Sequence, residues 1–217
     1  MTPPPAILCI GRNYEAHAAE MGASAPDAPT VFMKNPASVI ANGEPIVIPG
    51  ICNAQGPEVD YEGELAVILD QDLRNATPET AMAAVGGYAV ANDVSARWWQ
   101  KKGSGGQWIR GKSFDTFCPM STPVPAASIP DPQSLQLVTR LNGDVMQEAS
   151  TADMIFGVQD LLVDLSRDMT LLAGTVLLTG TPAGVGAGRT PPRFLQDGDV
   201  VEIEIERVGS LSNPVTG

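Results

Sequence analysis

The sequence predicts an α+β fold that is mainly β. Short apolar runs of strand length recur along the chain, turn signals rich in Gly, Pro and Asn separate them, and one segment shows a sustained helical period. The strand-like segments outnumber the helical ones. With 217 residues and 43% hydrophobic side chains the chain can bury a substantial core, and residues 1–217 are expected to form a single domain.

Eight segments are predicted to be strands, because apolar side chains dominate them or alternate along them. In chain order they are residues 6–10, 31–34, 46–48, 59–69, 88–93, 135–141, 175–178 and 200–206. The pair Asn142-Gly143 follows the sixth segment directly and is typical of a two-residue hairpin turn. A β-hairpin is therefore expected at that point.

Three segments are predicted to be helices. The first is a short polar helix over 15–21. The second covers 77–85, where Thr77 is a suitable N-cap and the Gly pair at 86–87 is expected to end the helix. The third covers 156–167, with apolar residues at the i, i+3, i+4, i+7 spacing of a buried helix face. These apolar residues are Val158, Leu161, Leu162 and Leu165.

The segment 59–69 carries the main functional signal. Both of its faces are apolar from Leu65 onward, which indicates a largely buried strand. Glu62 and Glu64 lie one strand period apart on the same face, and buried carboxylates are costly unless they are paired or bind a metal. Two such groups would offer hard oxygen ligands to one cation. The alternative interpretation is a solvated acidic stripe.

The segment 200–206 shows the pattern of such a stripe in the same chain. Its apolar set is Val201, Ile203 and Ile205, and its acidic set is Glu202, Glu204 and Glu206. The acidic face never becomes apolar, which is typical of a half-exposed strand. The contrast favours the metal interpretation for Glu62 and Glu64 and solvent exposure for the later row.

Composition excludes several classes of function. The formal net charge of −12 argues against a nucleic-acid partner, because phosphate binding needs clustered Lys and Arg. No run has the apolar length of a membrane span, and the N-terminus lacks the features of a signal peptide, so a cytoplasmic protein without membrane contact is expected. The three widely spaced cysteines, Cys9, Cys52 and Cys118, are expected to be reduced and buried. A single histidine, His17, excludes a two-histidine metal site within one subunit.

The first predicted helix places His17 and Glu20 three positions apart on one face. From this spacing alone, a surface pair without function is the favoured interpretation. The loop of small residues at 21–29 follows the helix and has no packing signal. Such a composition is typical of a mobile lid or a lid hinge.

Three further features have both a functional and a structural interpretation. Asp93 ends a strand, where an aspartate is often a helix N-cap, and Lys112 has the sequence context of an ordinary solvated lysine. The Gly-rich turn at 179–186 can bring backbone amides close to an anion. A plain tight loop explains its glycines equally well.

Six short strings occur in order along the chain. They are Gly11-Arg12-Asn13-Tyr14 with His17 and Glu20, Asp60-Tyr61-Glu62-Gly63-Glu64-Leu65, Asn92-Asp93-Val94-Ser95-Ala96-Arg97, Gly111-Lys112-Ser113-Phe114-Asp115-Thr116-Phe117, Thr179-Gly180-Thr181-Pro182-Ala183-Gly184-Val185-Gly186 and Asn213-Pro214-Val215. Together they resemble the fumarylacetoacetate hydrolase family over nearly the whole chain. Trp98 departs from the resemblance, because many members continue Ala-Arg with Asp, and substrate choice is the property it puts in question.

The resemblance implies a mostly β fold, a rolled mixed β-sheet with a few helices, usually assembled as homodimers. It also implies one bound Mg²⁺ or Mn²⁺. The implied ligands are Glu62, Glu64 and Asp93. His17 and Glu20 become a catalytic dyad on a helix that orders over the bound ligand.

The resemblance also assigns residues to the substrate. Lys112 is a catalytic residue and a polar contact to the substrate, and Gln100 is a second polar contact. Thr181 is expected near the substrate carboxylate, and Arg12 is assigned to substrate binding.

The expected function is a Mg²⁺- or Mn²⁺-dependent hydrolase that cleaves a C–C bond in a small anionic 1,3-diketo or 2-oxo acid, as in aromatic catabolism. His17, held by Glu20, would activate water, because an imidazole is suited to taking a proton at cell pH. The same site without water attack would give an oxaloacetate decarboxylase or a 2-hydroxymuconate-type isomerase or tautomerase. A non-catalytic metal- or ligand-binding domain is the alternative from another class.

Overall fold

A computed structural model describes residues 3–217 of the chain. Strands make up most of the regular structure, and the helices are short, the longest having eight residues. The sheets mix parallel and antiparallel pairs. The predicted α+β, mainly β fold is confirmed. Residues 1 and 2 lie outside the described part, so the prediction about the extreme N-terminus is not tested.

The described residues contain fifteen strands and five α-helices. The strands are β1 (Ile7–Gly11), β2 (Thr30–Lys34), β3 (Val39–Ile40), β4 (Ile46–Val47), β5 (Val59–Asp60), β6 (Gly63–Leu69), β7 (Val85–Asn92), β8 (Ser95–Ala96), β9 (Cys118–Pro119), β10 (Val124–Pro125), β11 (Gln136–Leu141), β12 (Asp144–Ser150), β13 (Val176–Leu178), β14 (Val200–Ile205) and β15 (Gly209–Thr216). The helices are α1 (Glu15–Glu20), α2 (Pro78–Ala83), α3 (Arg97–Gln100), α4 (Ile109–Lys112) and α5 (Val158–Leu165).

Two sheets form the body of the molecule. The larger has six strands in the order β10-β7-β6-β13-β1-β2, and the smaller has five in the order β12-β11-β14-β15-β4. Only β1 with β13 and β15 with β4 pair in parallel within these sheets, as far as residues 3–217 show. The central strands β6 and β13 are therefore covered by neighbours on both edges.

Strand β6 is buried on both faces, as its apolar pattern predicts. Leu65 and Val67 belong to the main core, which lies between the two sheets and includes Ile203 of β14. Ala66 belongs to a second, smaller core on the opposite face, together with Cys9 and other small side chains. Gly63, at the start of β6, allows the two sheets to approach closely, because a Cβ there would collide with Thr139 of β11.

Several predicted elements are confirmed. Asn142 and Gly143 have φ angles of 54° and 87° and connect β11 to β12 as a tight hairpin. Helix α5 buries all four residues of its predicted apolar face. The Thr77 hydroxyl accepts the backbone N–H of Thr80 and caps α2. Glu202 and Glu204 of β14 are exposed while the intervening Ile203 is buried, which confirms the solvated stripe.

Two predicted boundaries are wrong. The segment 59–69 is not one strand, because β5 ends at Asp60 and β6 begins at Gly63. The Gly pair at 86–87 does not end α2 but lies inside β7. A Cβ at position 87 would meet the backbone oxygen of Val124 at 2.6 Å, so the glycine lets β10 pair with β7 at this edge.

The cysteine and membrane predictions have simple outcomes. Cys9, Cys52 and Cys118 are buried and free of disulfides. Among residues 3–217, no helix combines the length and the apolar character that a membrane crossing requires.

Candidate active site

The break between β5 and β6 places Glu62 next to Asp93. The Glu62 N–H donates to Asn92 Oδ1 at 3.0 Å, and the Glu62 carbonyl accepts the Asp93 N–H at 2.8 Å. Glu64 follows as the second residue of β6, opposite Ala91 of β7. One oxygen from each of the three carboxylates lies within 4.8 Å of the other two, and all three residues are buried. The predicted ligand residues are therefore brought together.

Three buried cations neutralise two of these carboxylates. Lys112 Nζ lies 2.6 Å from Glu62 Oε2 and 2.6 Å from Asp93 Oδ2, so it bridges them. Lys34 Nζ lies 2.6 Å from Asp93 Oδ1, and Arg97 Nη1 lies 2.7 Å from Glu62 Oε1. Every oxygen of Glu62 and Asp93 thus has a cationic partner.

Glu64 differs from its neighbours. Among residues 3–217 it forms no ion pair, and its Oε2 accepts the Gly180 N–H at 2.7 Å. Burial and then the negative charges of Asp93 and Glu62 raise the pKa of the Glu64 carboxyl well above its usual range. Burial also acts on Glu62, but the charges of Lys112 and Arg97 outweigh it and hold the pKa of Glu62 well below its usual range. The positive charges of the cluster therefore lie at Glu62 and Asp93 and not at Glu64.

Lys112 stays charged at this position. Burial lowers the pKa of the ammonium group, but the charges of Asp93 and Glu62 outweigh burial and raise the pKa to about 12. A lysine with that pKa is a poor proton acceptor at neutral pH. Lys112, expected from the family resemblance to be catalytic, can therefore act as a fixed positive charge and hydrogen-bond donor.

Asp60 and Arg97 lie next to the carboxylate cluster, and Arg97 connects Asp60 to Glu62. Asp60 is fully buried, and its Oδ2 accepts from Arg97 Nε at 2.8 Å. The same carboxylate accepts the N–H groups of Gly186 and Ala187, at 2.7 and 3.0 Å. Arg97 is thereby fixed between Asp60 and Glu62.

The proposed dyad lies on helix α1. His17 Nδ1 is 3.3 Å from Glu20 Oε2, and the other oxygen of Glu20 accepts the Gly184 N–H at 2.9 Å. Glu20 is thus anchored to the 179–186 turn, and it orients the imidazole. His17 is buried, which makes a surface pair without function the weaker interpretation.

One cavity of about 90 Å³ collects these groups. Its polar lining includes His17, Glu62, Glu64 and Lys112, and its apolar lining includes Phe32 and Trp108. A cavity of that volume has room for only a few water molecules. It therefore suits a small acid rather than a polymer.

Arg12 and Gln100, both predicted substrate contacts, line this cavity. Arg12 has a φ of 59°, a left-handed conformation uncommon for residues other than glycine, and its guanidinium lies 5.5 Å from the centre of the Trp108 ring. Gln100 Oε1 accepts from Arg97 Nη1 at 3.1 Å, which leaves the amide NH₂ for a ligand. Within residues 3–217, Trp98 does not line the cavity, whereas Trp108 does.

Thr181 also lines the cavity, but its hydroxyl is already engaged. It donates to the Gly63 carbonyl at 3.0 Å and accepts from Gln147 Nε2 at 2.7 Å. The Thr181 hydroxyl oxygen has one further lone pair with which it can accept a hydrogen bond from a substrate. Thr181 thus links the cavity wall to β12, and its role toward a substrate carboxylate stays a prediction.

The Gly-rich turn at 179–186 serves the protein's own carboxylates. Its amides at Gly180, Gly184 and Gly186 donate to Glu64, Glu20 and Asp60, respectively. Two of these glycines, Gly180 and Gly184, have φ angles of 99° and 108°, which side-chain-bearing residues rarely adopt. Of the two sequence interpretations, amides presented to anions is the correct one, but the anions are side chains.

Sequence reasoning missed three parts of the site. Asp60 and Arg97 belong to strings that carry the family resemblance, yet neither was assigned a role. Lys34 had no signal at all, because a lysine at the end of a strand is normally solvated. Their common feature is an ion pair with a residue distant in sequence.

The three carboxylates fit a hard divalent cation. The donor set contains only oxygen, which suits Mg²⁺ or Mn²⁺. A carboxylate oxygen has two lone pairs, so the hydrogen bonds from Lys112 and Lys34 do not exhaust Glu62 and Asp93. Glu64, buried without a cationic partner among residues 3–217, is where an added positive charge is most needed.

We expect the segment 15–28 to become protected when a ligand binds. Residues 24–28 have no helix or strand, and α1 before them carries His17, so closure over a ligand would exclude water from the cavity. Hydrogen exchange measured with and without oxalate plus Mg²⁺ checks this. The hairpin at 142–143 is the internal control, and exchange in 15–28 that oxalate leaves unchanged would contradict the lid.

Comparisons with known proteins show the family to which the chain belongs. Residues 6–216 match the family model of the fumarylacetoacetate (FAA) hydrolase C-terminal domain. The solved structure of a fumarylacetoacetate hydrolase from Exiguobacterium antarcticum superposes with a TM-score of 0.88 at 42% identity, over 99% of this chain and 76% of that one. The chain therefore belongs to the fumarylacetoacetate hydrolase family.

Two curated relatives are described by a specific activity as well as by similarity to this chain. The chain is 44% identical over 216 residues to the mitochondrial oxaloacetate tautomerase fahd2 of Xenopus laevis, covering 99% of this chain and 66% of the relative. It is 44% identical over 212 residues to the oxaloacetate tautomerase YisK of Bacillus subtilis, covering 96% and 69%. The chain thus spans about two thirds of the length of these relatives.

Proposed function

We propose that the chain is an enzyme, a divalent-metal-dependent keto–enol tautomerase for a small 2-oxo diacid of the oxaloacetate class. The observation that carries this proposal is that His17, oriented by Glu20, lines the same small cavity as Glu62, Glu64 and Lys112. The relatives described as oxaloacetate tautomerases support the choice of reaction.

Tautomerisation moves a proton between C3 and the C2 oxygen and leaves the composition of the substrate unchanged. In the keto-to-enol direction the C3–H bond breaks, a C2–C3 double bond forms as the C2=O double bond becomes single, and the C2 oxygen gains a proton. His17 is the cavity-facing group that can take a proton from C3 and deliver one to the oxygen, while Glu20 stabilises the charged imidazole. Lys112 contributes a fixed positive charge toward the developing negative oxygen.

Mg²⁺ or Mn²⁺ held by Glu62, Glu64 and Asp93 would supply Lewis acidity to the 2-oxo group, which makes C3–H more acidic. In the chain itself, Lys34 and Arg97 hold the carboxylates of Asp93 and Glu62 in position. The positioning of these ligands therefore does not depend on the substrate.

A second candidate is C–C hydrolysis of an acylpyruvate-type diketo acid. His17 with Glu20 is also the arrangement that activation of a water molecule requires. A fumarylacetoacetate hydrolase is among the similar solved structures. Hydrolysis needs the cavity to hold the diketo acid and a water molecule together, whereas tautomerisation needs the substrate alone.

A substrate panel tests the proposal. Enol-to-keto conversion of oxaloacetate is followed by absorbance with Mg²⁺, with Mn²⁺ and with a chelator, against matched solutions without enzyme. Acetylpyruvate, fumarylpyruvate and a hydroxymuconate are followed for cleavage or isomerisation. We expect metal-dependent acceleration with oxaloacetate and little cleavage of the diketo acids.

The panel separates the alternatives. Faster cleavage of acetylpyruvate or fumarylpyruvate than tautomerisation of oxaloacetate would make the chain a hydrolase. Rapid release of CO₂ from oxaloacetate would make it a decarboxylase. Retained binding of oxalate without any turnover would support a non-catalytic ligand-binding domain.

A homodimer remains a proposal supported by one surface. Strand β2 is an edge strand of the six-stranded sheet and exposes Val31 and Met33, 43% and 40% accessible. Ile109 on α4, which packs against β2, is 49% accessible. An edge strand with exposed apolar side chains is a surface that a second subunit can cover.

A further inference from the structure

The cavity lining carries more positively charged than negatively charged side chains. Four basic side chains line the cavity: Arg12, Arg97, Lys101 and Lys112. Arg97 and Lys112 form ion pairs with the buried acids. Among residues 3–217, neither Arg12 nor Lys101 forms an ion pair. Two cations therefore face the cavity without a counter-charge from the protein.

The backbone around Lys101 is well defined. Lys101 directly follows α3, its N–H donates to the Trp98 carbonyl at 3.2 Å, and its carbonyl accepts the Gly106 N–H at 2.7 Å. This bond closes a loop, after which Trp108 lines the same cavity. The neighbouring Lys102 is also exposed but does not line the cavity. The chain thus provides two adjacent lysines, of which one faces the site.

Like charges surround the Lys101 ammonium group. Partial burial, followed by the charges of Arg97 and Arg12, lowers its pKa. A bound anion between Lys101 and Arg12 would relieve this repulsion and gain charge-assisted hydrogen bonds. Glu62 and Glu64 also line the cavity, and they repel an anion that has no metal beside it.

We propose that Lys101 is a specificity-determining residue that binds the carboxylate remote from the 2-oxo group of a diacid substrate, with Arg12 beside it. This inference rests on the proposed function and adds the orientation of the substrate to it. The 2-oxo acid end lies toward the carboxylate cluster, and the remote carboxylate lies toward the end of α3. A 2-oxo monoacid of the same length leaves Lys101 without a partner.

The test compares Lys101→Met with Lys102→Met, on oxaloacetate and on 2-oxobutanoate, which lacks the remote carboxylate. Exchange of C3 protons in deuterated water, followed by NMR, reports both substrates in one assay. We expect Lys101→Met to raise KM for oxaloacetate about 5- to 10-fold with kcat little changed, the effect of one partly exposed charged contact. KM for 2-oxobutanoate should stay the same. Lys102→Met should behave as the wild type, and Lys101→Arg should restore most of the loss.

A binding measurement removes the dependence on turnover. Calorimetry in the presence of Mg²⁺ compares malate with 2-hydroxybutanoate, which differ only in the remote carboxylate. Lys101→Met should weaken malate binding 5- to 10-fold and leave 2-hydroxybutanoate binding unchanged. Equal behaviour of the two lysine variants, or an equal loss on both ligands, would overturn the role of Lys101. A wild type that accelerates exchange in neither substrate while malate still binds through Lys101 would reject the proposed function alone.

Discussion

Glu64→Gln is expected to abolish Mg²⁺ binding and metal-dependent activity while the chain remains folded. Glu64 is the suitable ligand to change, because it has no ion-pair partner among residues 3–217. Removing Glu62 or Asp93 would instead leave Lys112 buried with one partner fewer, which is strongly destabilising. The amide oxygen of a glutamine can still accept the Gly180 N–H, and Glu64→Ala gives the stronger form of the same test.

Two measurements check this expectation. Calorimetry should show no Mg²⁺ binding to the variant. For the wild type, a metal concentration of 100 times Kd adds about 2.7 kcal/mol of stability, or roughly 5–11 °C in Tm for a chain of this size, and the variant should lose that increase. Glu202→Gln, on the exposed stripe of β14, is the matched control and should keep it. Wild-type affinity in Glu64→Gln would show that the metal lies elsewhere.

His17→Gln is expected to lower tautomerase activity by roughly 10²- to 10⁴-fold, the usual cost of removing a general acid–base group. Metal binding should be unchanged, because His17 is not a ligand residue. Decarboxylation of oxaloacetate should decrease less, since its C–C bond breaks without a proton being taken by the protein. An imidazole that must accept a proton is inactive once protonated, so the wild-type rate should fall on the acid side and this limb should vanish in the variant.

Glu20→Gln distinguishes orientation from proton transfer. A glutamine can keep the hydrogen bond from the Gly184 N–H but cannot stabilise a charged imidazole, so a smaller loss than in His17→Gln is expected. The measurement is the pH dependence of kcat/KM for all three proteins. If His17→Gln retains the wild-type rate and the acid limb, another group carries the proton.

The fold class follows from the sequence because the signals are local. Thr77, the Asn142-Gly143 turn and the apolar face of α5 each act within a few residues, and each element is present in the structure. The prediction is wrong where contacts between segments distant in sequence determine the boundary of an element. The glycines at 86–87 predict the end of a helix. In the structure they lie in β7 and allow it to pair with β10, which lies almost 40 positions further along the chain.

Some residues of the site also have a local signal in the sequence, whereas others have none. Glu62 and Glu64 were recognisable because two acids interrupt a strand that is otherwise buried, and a chain-internal comparison with Glu202 and Glu204 was available. Asp93 required the family resemblance, since an aspartate after a strand has an ordinary explanation. The break at 61–62 was invisible in the alternation pattern, because the residues on both sides of it are compatible with one continuous strand.

The turn at 179–186 constrains how this protein can be varied. Its three contacts to Asp60, Glu20 and Glu64 use backbone N–H groups, so side-chain exchanges within the turn cannot remove them directly. Only a proline, or a Cβ where a glycine is required, would break them. Libraries that vary the cavity should therefore leave this turn intact and change lining side chains from other segments, such as Phe32 and Trp108.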